Sequence, residues 1–360
     1  MRPVVGAMIG GVGRTLVTGA TGFVGSHVVR ALLARGDEVR ATVRASSSRE
    51  ALEGLDVELA TAQLGDRAAL RRALRGVDRV FHVAGTTNLR ASPAELARVN
   101  VEGTRTVMEE ALRAGVQRVV HTSSIGAVGP ARPGGAVDER HVFPPGIDVP
   151  YAVSKHLAET EALRVAARGL DVVIVCPAHV FGSGDLGPTS TGVVRKFLLR
   201  RIPAYVNGAI NVVDVVDVAA GHLLADELGV PGERYILGTR NYTWDRLFAE
   251  LARISGVERP LLEVQRDVAL AAVAVASRGP LKPPVTEQEI RGASHWWTCR
   301  AARARRELGW TTRPHEDTVE ETVRWWEERL GDRYRLAPRS QPIGWKLLAG
   351  ALGAAGRLKP

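Results

Sequence analysis

Tyr151 and Lys155 stand four residues apart in Tyr151-Ala152-Val153-Ser154-Lys155, directly after Pro150. The proline suits the first turn of a helix, and that spacing puts both side chains on one face of it. A phenol acts as an acid/base near neutrality only if its ordinary pKa of about 10 is lowered, which a neighbouring ammonium does electrostatically. Such pairs occur by chance on many helices, so the context decides. Thr122-Ser123-Ser124 ends a candidate strand just upstream, and parallel-sheet enzymes gather their chemistry beyond the carboxyl ends of strands. Alternation along a strand cannot aim three consecutive hydroxyls into one site. Ser124 is therefore the candidate to hold a reacting oxygen, and the predicted catalytic set is Ser124, Tyr151 and Lys155.

A second signature lies at Thr18-Gly19-Ala20-Thr21-Gly22-Phe23-Val24-Gly25. Gly19 permits a tight turn, Gly22 lets backbone approach a pyrophosphate, and Gly25 lets helix pack closely on strand, while the helix start supplies unpaired amides. A dinucleotide site is predicted. For NAD an acidic residue is expected at the end of the second strand, but that strand ends Ala41-Thr42-Val43-Arg44, and Asp37 and Glu38 come before it. Arg44 with Ser46, Ser47 and Arg49 forms a cationic, hydroxyl-rich pocket suited to a 2′-phosphate. NADP(H) is the expected cofactor, with NAD(H) as the alternative.

These residues need a frame to converge. From Arg14 onward, short β-branched runs alternate with helix-length amphipathic segments, the pattern of a parallel sheet wound by crossover helices. Strands are predicted over 14–18, 39–43, 57–60, 79–83, 118–122 and 172–175. Helices are predicted over 23–35, closed by Gly36, and from the cap Ser92-Pro93-Ala94-Glu95 to about Ala114. Past Phe181 the pattern weakens: 182–210 reads as loop plus a helix near 193–200. A strand at 211–213, a helix over 216–228, a strand at 235–237 and a helix opened by Thr243 follow. The expected fold class is α/β, a doubly wound parallel Rossmann sheet with a smaller, discontinuous C-terminal substrate domain. Its expected divisions are an N-terminal extension (1–13), the nucleotide domain (14–181 plus about 211–229), the substrate domain (182–210 and 230–330) and a tail (331–360).

Together, the glycine triplet, Ser124 and the Tyr151/Lys155 pair resemble the extended short-chain dehydrogenase/reductase family, over about residues 14–330. Phe81-His82-Val83-Ala84-Gly85, Asn100-Val101-Glu102-Gly103-Thr104, Cys176-Pro177-Ala178-His179-Val180-Phe181-Gly182 and Glu307-Leu308-Gly309-Trp310 extend the match. Within the family the chain is most similar to dihydroflavonol-reductase-like and hopanoid-associated epimerase-like members, through Gly182-Ser183-Gly184-Asp185, Pro203-Ala204-Tyr205-Val206 and Glu233-Arg234-Tyr235-Ile236-Leu237-Gly238. The resemblance implies cofactor contacts from Gly19, Thr21, Gly22, Phe23, Val24, Arg44, Gln63, Leu64, Val83, Ala84, Gly85, Thr122, Tyr151, Lys155, Pro177, His179 and Val180. It implies substrate contacts from Thr86, Ser124, Val128 and His179, and a homodimer formed through helices that include 151–168. Three positions depart from the family pattern. Gln63 stands where an aspartate usually meets adenine, Cys176 where sugar-nucleotide enzymes commonly carry arginine, and His179 where asparagine is frequent. The last two weigh against a sugar nucleotide.

Composition narrows the field further. The 360 residues, 45% hydrophobic and 24% charged, suit one large α/β domain with a smaller one appended. Two cysteines, Cys176 and Cys299, are too few and too far apart for a disulfide framework or a metal site, so no metal and a reducing, cytoplasmic setting are expected. Much of the net charge of +9 sits on amphipathic helices such as 67–75, which read as solvated faces, so no nucleic-acid partner is expected. The segment 343–358, rich in Ala, Gly and Leu, fits either peripheral membrane contact or a docked terminal helix. With the apolar run 267–276 it favours a terpenoid, steroid or flavonoid-like substrate. The expected reaction is hydride transfer between NADP(H) and a secondary alcohol or ketone of a small molecule. The alternative is a nucleotide-sugar epimerase or dehydratase with tightly bound NAD(P). A non-catalytic NADP-binding sensor would have no need of Ser124, Tyr151 and Lys155 together.

Overall fold

Unbroken apolar runs fold into strands covered on both faces, as a parallel sheet flanked by helices requires. The computed structural model describes residues 13–187, 189–202, 204–278, 285–336 and 339–341. Strands β1 (Arg14–Thr18), β2 (Glu38–Val43), β3 (Glu58–Thr61), β4 (Arg79–His82), β5 (Arg118–Thr122) and β6 (Asp171–Pro177) lie within one or two residues of their predicted bounds. They stack in the order β6-β5-β4-β1-β2-β3, every pair parallel. The order reverses between β1 and β4, and in such sheets a crevice opens at that point.

Helix α1 (Phe23–Arg35) follows β1 and stops at Gly36, whose φ of 95° few side chains tolerate. After α2 (Arg67–Ala73), the helix predicted from Ser92 runs in three parts: α3 (Pro93–Leu96), a wide π turn over Ala97–Glu102, and α4 (Gly103–Ala114). Ser92 caps it, its Oγ accepting from the Glu95 amide at 3.1 Å. Short α5 (Ile125–Val128) and long α6 (Pro150–Ala166) connect β5 to β6.

Beyond β6 the chain crosses between two units more often than periodicity suggests. β7 (His179–Phe181) leaves the large sheet and pairs with β9 (Ala209–Asp214) in a second, four-stranded sheet, after α7 (Gly192–Leu198) and β8 (Ala204–Val206). Helix α8 (Val215–Leu228) then returns to pack on α1. β10 (Arg234–Leu237), expected in the substrate domain as part of 230–330, instead pairs with β6 as the seventh strand of the large sheet. Burial explains the correction: Tyr235, Ile236 and Leu237 are 0% exposed and join the main core together with Trp310. β11 (Arg240–Thr243), α9 (Trp244–Ser255), β12 (Leu262–Val264), α10 (Arg266–Ala276), α11 (Glu287–Ala293) and β13 (Trp296–Trp297) build the smaller unit. Next come α12 (Ala302–Glu307) against β10 and α13 (His315–Leu330) against the small unit's own core of Phe197, Phe248, Val323 and Trp326.

The expected tail begins later than 331. Helix α14 (Asp332–Arg335) docks by its buried Tyr334, whose hydroxyl meets the Ser255 carbonyl at 2.9 Å. The segment 343–358 and residues 1–12 lie outside the described residues. Among the described residues no helix is long and apolar enough to cross a membrane.

Candidate active site

The glycine loop sits at the crevice between β1 and β4. Gly19 has φ of 71°, and a Cβ there would fall 2.7 Å from the backbone of Ala84, just past β4. A Cβ on Gly25 would fall 2.1 Å from the Gly19 carbonyl oxygen, so α1 starts against the loop only because that residue is glycine. No side chain caps α1 at Gly22, and its first turn holds no acidic residue. Its free first-turn amides and positive end therefore suit an anion, flanked by Thr21, Phe23 and Val24. The donors fit a diphosphate.

At the catalytic end, Ser124 follows β5 and Tyr151 opens α6. They meet at Gly126, where a Cβ would stand 3.4 Å from both Ser124 Oγ and Tyr151 Cε1. Lys155, one turn on, is 6% exposed and donates from Nζ to the Thr122 carbonyl at 2.8 Å. Burial brings its pKa down to about 8, against the opposing field of Glu159. The Tyr151 phenol is not lowered by Lys155 among the protein groups alone: burial raises it, with the Ser124 side chain acting the other way. Desolvation of the phenolate dominates, and the Lys155 ammonium is turned towards the Thr122 carbonyl.

The remaining predicted residues divide. Arg44 is exposed, its Nε donating to Ser47 Oγ at 3.2 Å, while Asp37 is taken by Arg35 and Thr15 and Glu38 by Arg14. Gln63 is exposed beside β3, and Leu64 lies against Gly103. Val83, Ala84 and Gly85 line the crevice side of β4, with Gly85 close to Lys155 Nζ. Pro177 and Val180 are buried, and His179 donates from Nε2 to the Ser190 carbonyl at 3.0 Å. One expectation is corrected. Val128 is 0% exposed and belongs to the main core, which removes it from any substrate surface. The Thr122 hydroxyl donates to His222 Nε2 at 2.7 Å, and its carbonyl accepts from Lys155 Nζ.

Other residues here escaped the sequence reading as functional groups. Asn100, in the π turn, is 1% exposed; its Oδ1 accepts from the Thr86 amide and its Nδ2 donates to the Thr86 carbonyl and to Ser154 Oγ. It thereby ties the Thr86 loop to the catalytic helix, and a wide turn at a polar residue is a structural signal no spacing rule carries. Below the site His82, His121 and His222 are all 0% exposed. His82 joins the Thr18 hydroxyl at Nδ1 (2.7 Å) to the Thr104 hydroxyl at Nε2 (3.0 Å), and Thr18 Oγ1 also accepts from the Ala84 amide. Burial depresses all three imidazoles, His82 to about 3 and His222 to about 4, which keeps them neutral beneath Lys155. At the rim Asp148 gathers Arg266, Arg291 and His295, which fastens α10 and α11 to the turn before Tyr151.

A nucleotide cradle at the β1/β4 crossing with Ser, Tyr and Lys at the end of β5 defines a dinucleotide-dependent oxidoreductase. The model of the NAD dependent epimerase/dehydratase family matches residues 15–238, and the chain belongs to that family, in its extended short-chain dehydrogenase/reductase branch. It is 41% identical to "Sterol demethylase protein B" of Methylococcus capsulatus, over 88% of this chain and 98% of that protein. It is 38% identical to "Putative dihydroflavonol 4-reductase" of Synechocystis, over 86% and 94% of the two chains. The crystal structure of gox2253 superposes with a TM-score of 0.78 at 36% identity, covering 88% of this chain and 98% of that one. The family binds NAD(P) and acts on small molecules.

Proposed function

We propose that the protein transfers hydride between NADP(H) and a secondary alcohol or ketone on an apolar molecule of terpenoid, steroid or flavonoid type. The observation that carries this reading is the meeting of Ser124, Tyr151 and Lys155 beside the glycine loop. The loop, the α1 amides, Lys155 and, at the 2′-phosphate, Arg44 with Ser47 would hold the dinucleotide. When bound, its nicotinamide supplies or accepts the hydride. Tyr151 gives its hydroxyl proton to the reacting oxygen in reduction and takes it back in oxidation. Ser124 donates to the same oxygen and sets its position. In the protein alone burial keeps the tyrosine neutral and ready to donate its proton; the positive charges of Lys155 and of an oxidised nicotinamide, when bound, would together favour the phenolate.

The preference for NADP(H) rests on Arg44 and on Asp37 and Glu38 being engaged elsewhere. Three observations support an apolar substrate. The Cys176 side chain is turned onto Glu159 and offers no cation to a sugar nucleotide. Helix α10, held at the rim by Arg266, exposes Val268 and Val275. The relative that is 41% identical carries "sterol" in its name. Thr86 and His179 are the further residues that this reading assigns to substrate. Leu157 and Leu163, exposed on α6, suit a homodimer through that helix.

A panel of apolar ketones and alcohols together with nucleotide sugars, followed by NADPH absorbance and product composition, tests the assignment. NADPH consumed in step with an alcohol product supports it. Turnover of a nucleotide sugar with no net change in NADPH assigns the protein to the epimerases instead.

A further inference from the structure

Behind Lys155 lies a polar cluster that hydride transfer itself does not use. One turn further along α6, Glu159 is 4% exposed. Its carboxylate accepts from Cys176 Sγ of β6 at 3.3 Å and pairs with Arg234 Nη1 of β10 at 3.4 Å. Arg234 in turn donates to the Glu139 and His141 carbonyls at 2.9 and 2.7 Å, which divides its hydrogen bonding among three acceptors. A thiol and one long ion pair compensate a buried carboxylate poorly, and an apolar side chain would fill this place at lower cost. The position therefore asks for an electrostatic reason.

Lys155 supplies it. Four residues apart on one helix, Lys155 and Glu159 share a face, and both are buried. The groups that face Lys155 from neighbouring elements give its ammonium no counter-charge: His82 of β4 and His121 of β5 are neutral, Tyr151 on its own helix is a neutral phenol, and burial holds the Cys176 thiol protonated. Glu139 is occupied by the Ile236 amide beyond Arg234. Glu159 is the carboxylate whose field favours the Lys155 ammonium.

We propose that Glu159 is a positioning residue that keeps Lys155 charged and seated on the Thr122 carbonyl, with Arg234 setting how much of that negative charge Lys155 feels. This rests on the reading that Lys155 contacts NADP(H), and NADPH is accordingly the probe. The experiment measures NADPH dissociation constants by nicotinamide fluorescence on the full chain, from about pH 6 to about pH 10, a window that brackets the value of about 8 at which Lys155 deprotonates.

In the native protein affinity falls as pH rises through about 8, where Lys155 loses its proton, and Lys155→Met flattens that profile. Glu159→Gln moves the midpoint down by about one unit, several-fold weaker binding just above neutrality, and Glu159→Asp restores it. Arg234→Gln moves the midpoint upward and carries the test alone if Glu159→Gln does not fold. Profiles of Glu159→Gln and Arg234→Gln that superimpose on the native curve overturn the inference, as does an equal loss at every pH, the mark of a merely structural role. A native protein that binds no NADPH at any pH overturns the functional reading and this inference together.

Discussion

At the glycine loop the decisive contacts are made by backbone within a single strand-loop-helix unit, whereas around Lys155 they are made by side chains from β4, β5, α6, β6 and β10. The first site contains nothing that titrates and is shaped by what is missing, the Cβ atoms of Gly19 and Gly25. The second is shaped by burial, which raises Tyr151, lowers Lys155 and leaves Glu159 to offset part of the cost. A backbone site should therefore be intolerant of added atoms and indifferent to pH. A side-chain site should tolerate isosteric replacement in folding while its chemistry moves with charge.

The sharpest way to break this contrast is Gly25→Ala, which sets a methyl 2.1 Å from the Gly19 oxygen. Denaturant unfolding should show a loss of about 3 kcal/mol or more, with NADPH binding abolished. Gly36→Ala meets no atom within 4 Å and carries only its left-handed backbone, so about 1 kcal/mol is expected there. Equal costs at the two glycines would remove the crowding argument. Tyr151→Phe should do the reverse, lowering kcat about 100- to 10,000-fold while the unfolding curve stays near that of the native protein.

Arg44→Ala sharpens the nucleotide side. Losing a charge-assisted contact worth about 1.5–3 kcal/mol should weaken NADPH binding roughly 10- to 150-fold and leave NADH binding unchanged in parallel titrations. Equal losses for both nucleotides would reverse the cofactor assignment. The pH dependence of stability probes the other side. Lys155 titrates at about 8 in the fold against an ordinary 10.5, so below pH 8 it is charged in both states and its burial penalty is constant. Between those values the unfolded chain holds the extra proton, and stability rises with pH. The unfolding free energy of the native protein relative to Lys155→Met should climb by roughly 1–3 kcal/mol across that window; a flat difference would place Lys155 in a wetter site than its burial implies. The smallest effect is expected for Asp148→Asn, which loosens Arg266, Arg291 and His295 at the rim. A rise in KM of about two- to five-fold with little change in kcat is expected, in keeping with partly exposed ion pairs.

Much of this molecule was legible before its fold. The six strands from β1 to β6 followed from β-branched runs, because burial on both faces leaves an unbroken apolar signature. The places of Ser124, Tyr151 and Lys155 in the fold were legible because each lies at a strand end or in the first turns of a helix that the sequence itself marks. Less legible was β10: four residues long and far from its partner β6, it reads locally like any short strand. Val128, a substrate contact by resemblance alone, lies buried, since a family likeness does not tell which way a short helix turns its side chains in this chain.

Local chemistry, then, belonged to the sequence alone: where a backbone can turn tightly, which hydroxyl ends a strand and which two side chains share a helix face. Tertiary structure alone decided the electrostatic state of those groups. The raised phenol, the lowered ammonium, the silent imidazoles of His82, His121 and His222, and the carboxylate of Glu159 behind Lys155 all depend on solvent exclusion by residues distant in the chain. Spacing is a property of neighbours along the chain, whereas the free energy of a charge is set by everything packed around it.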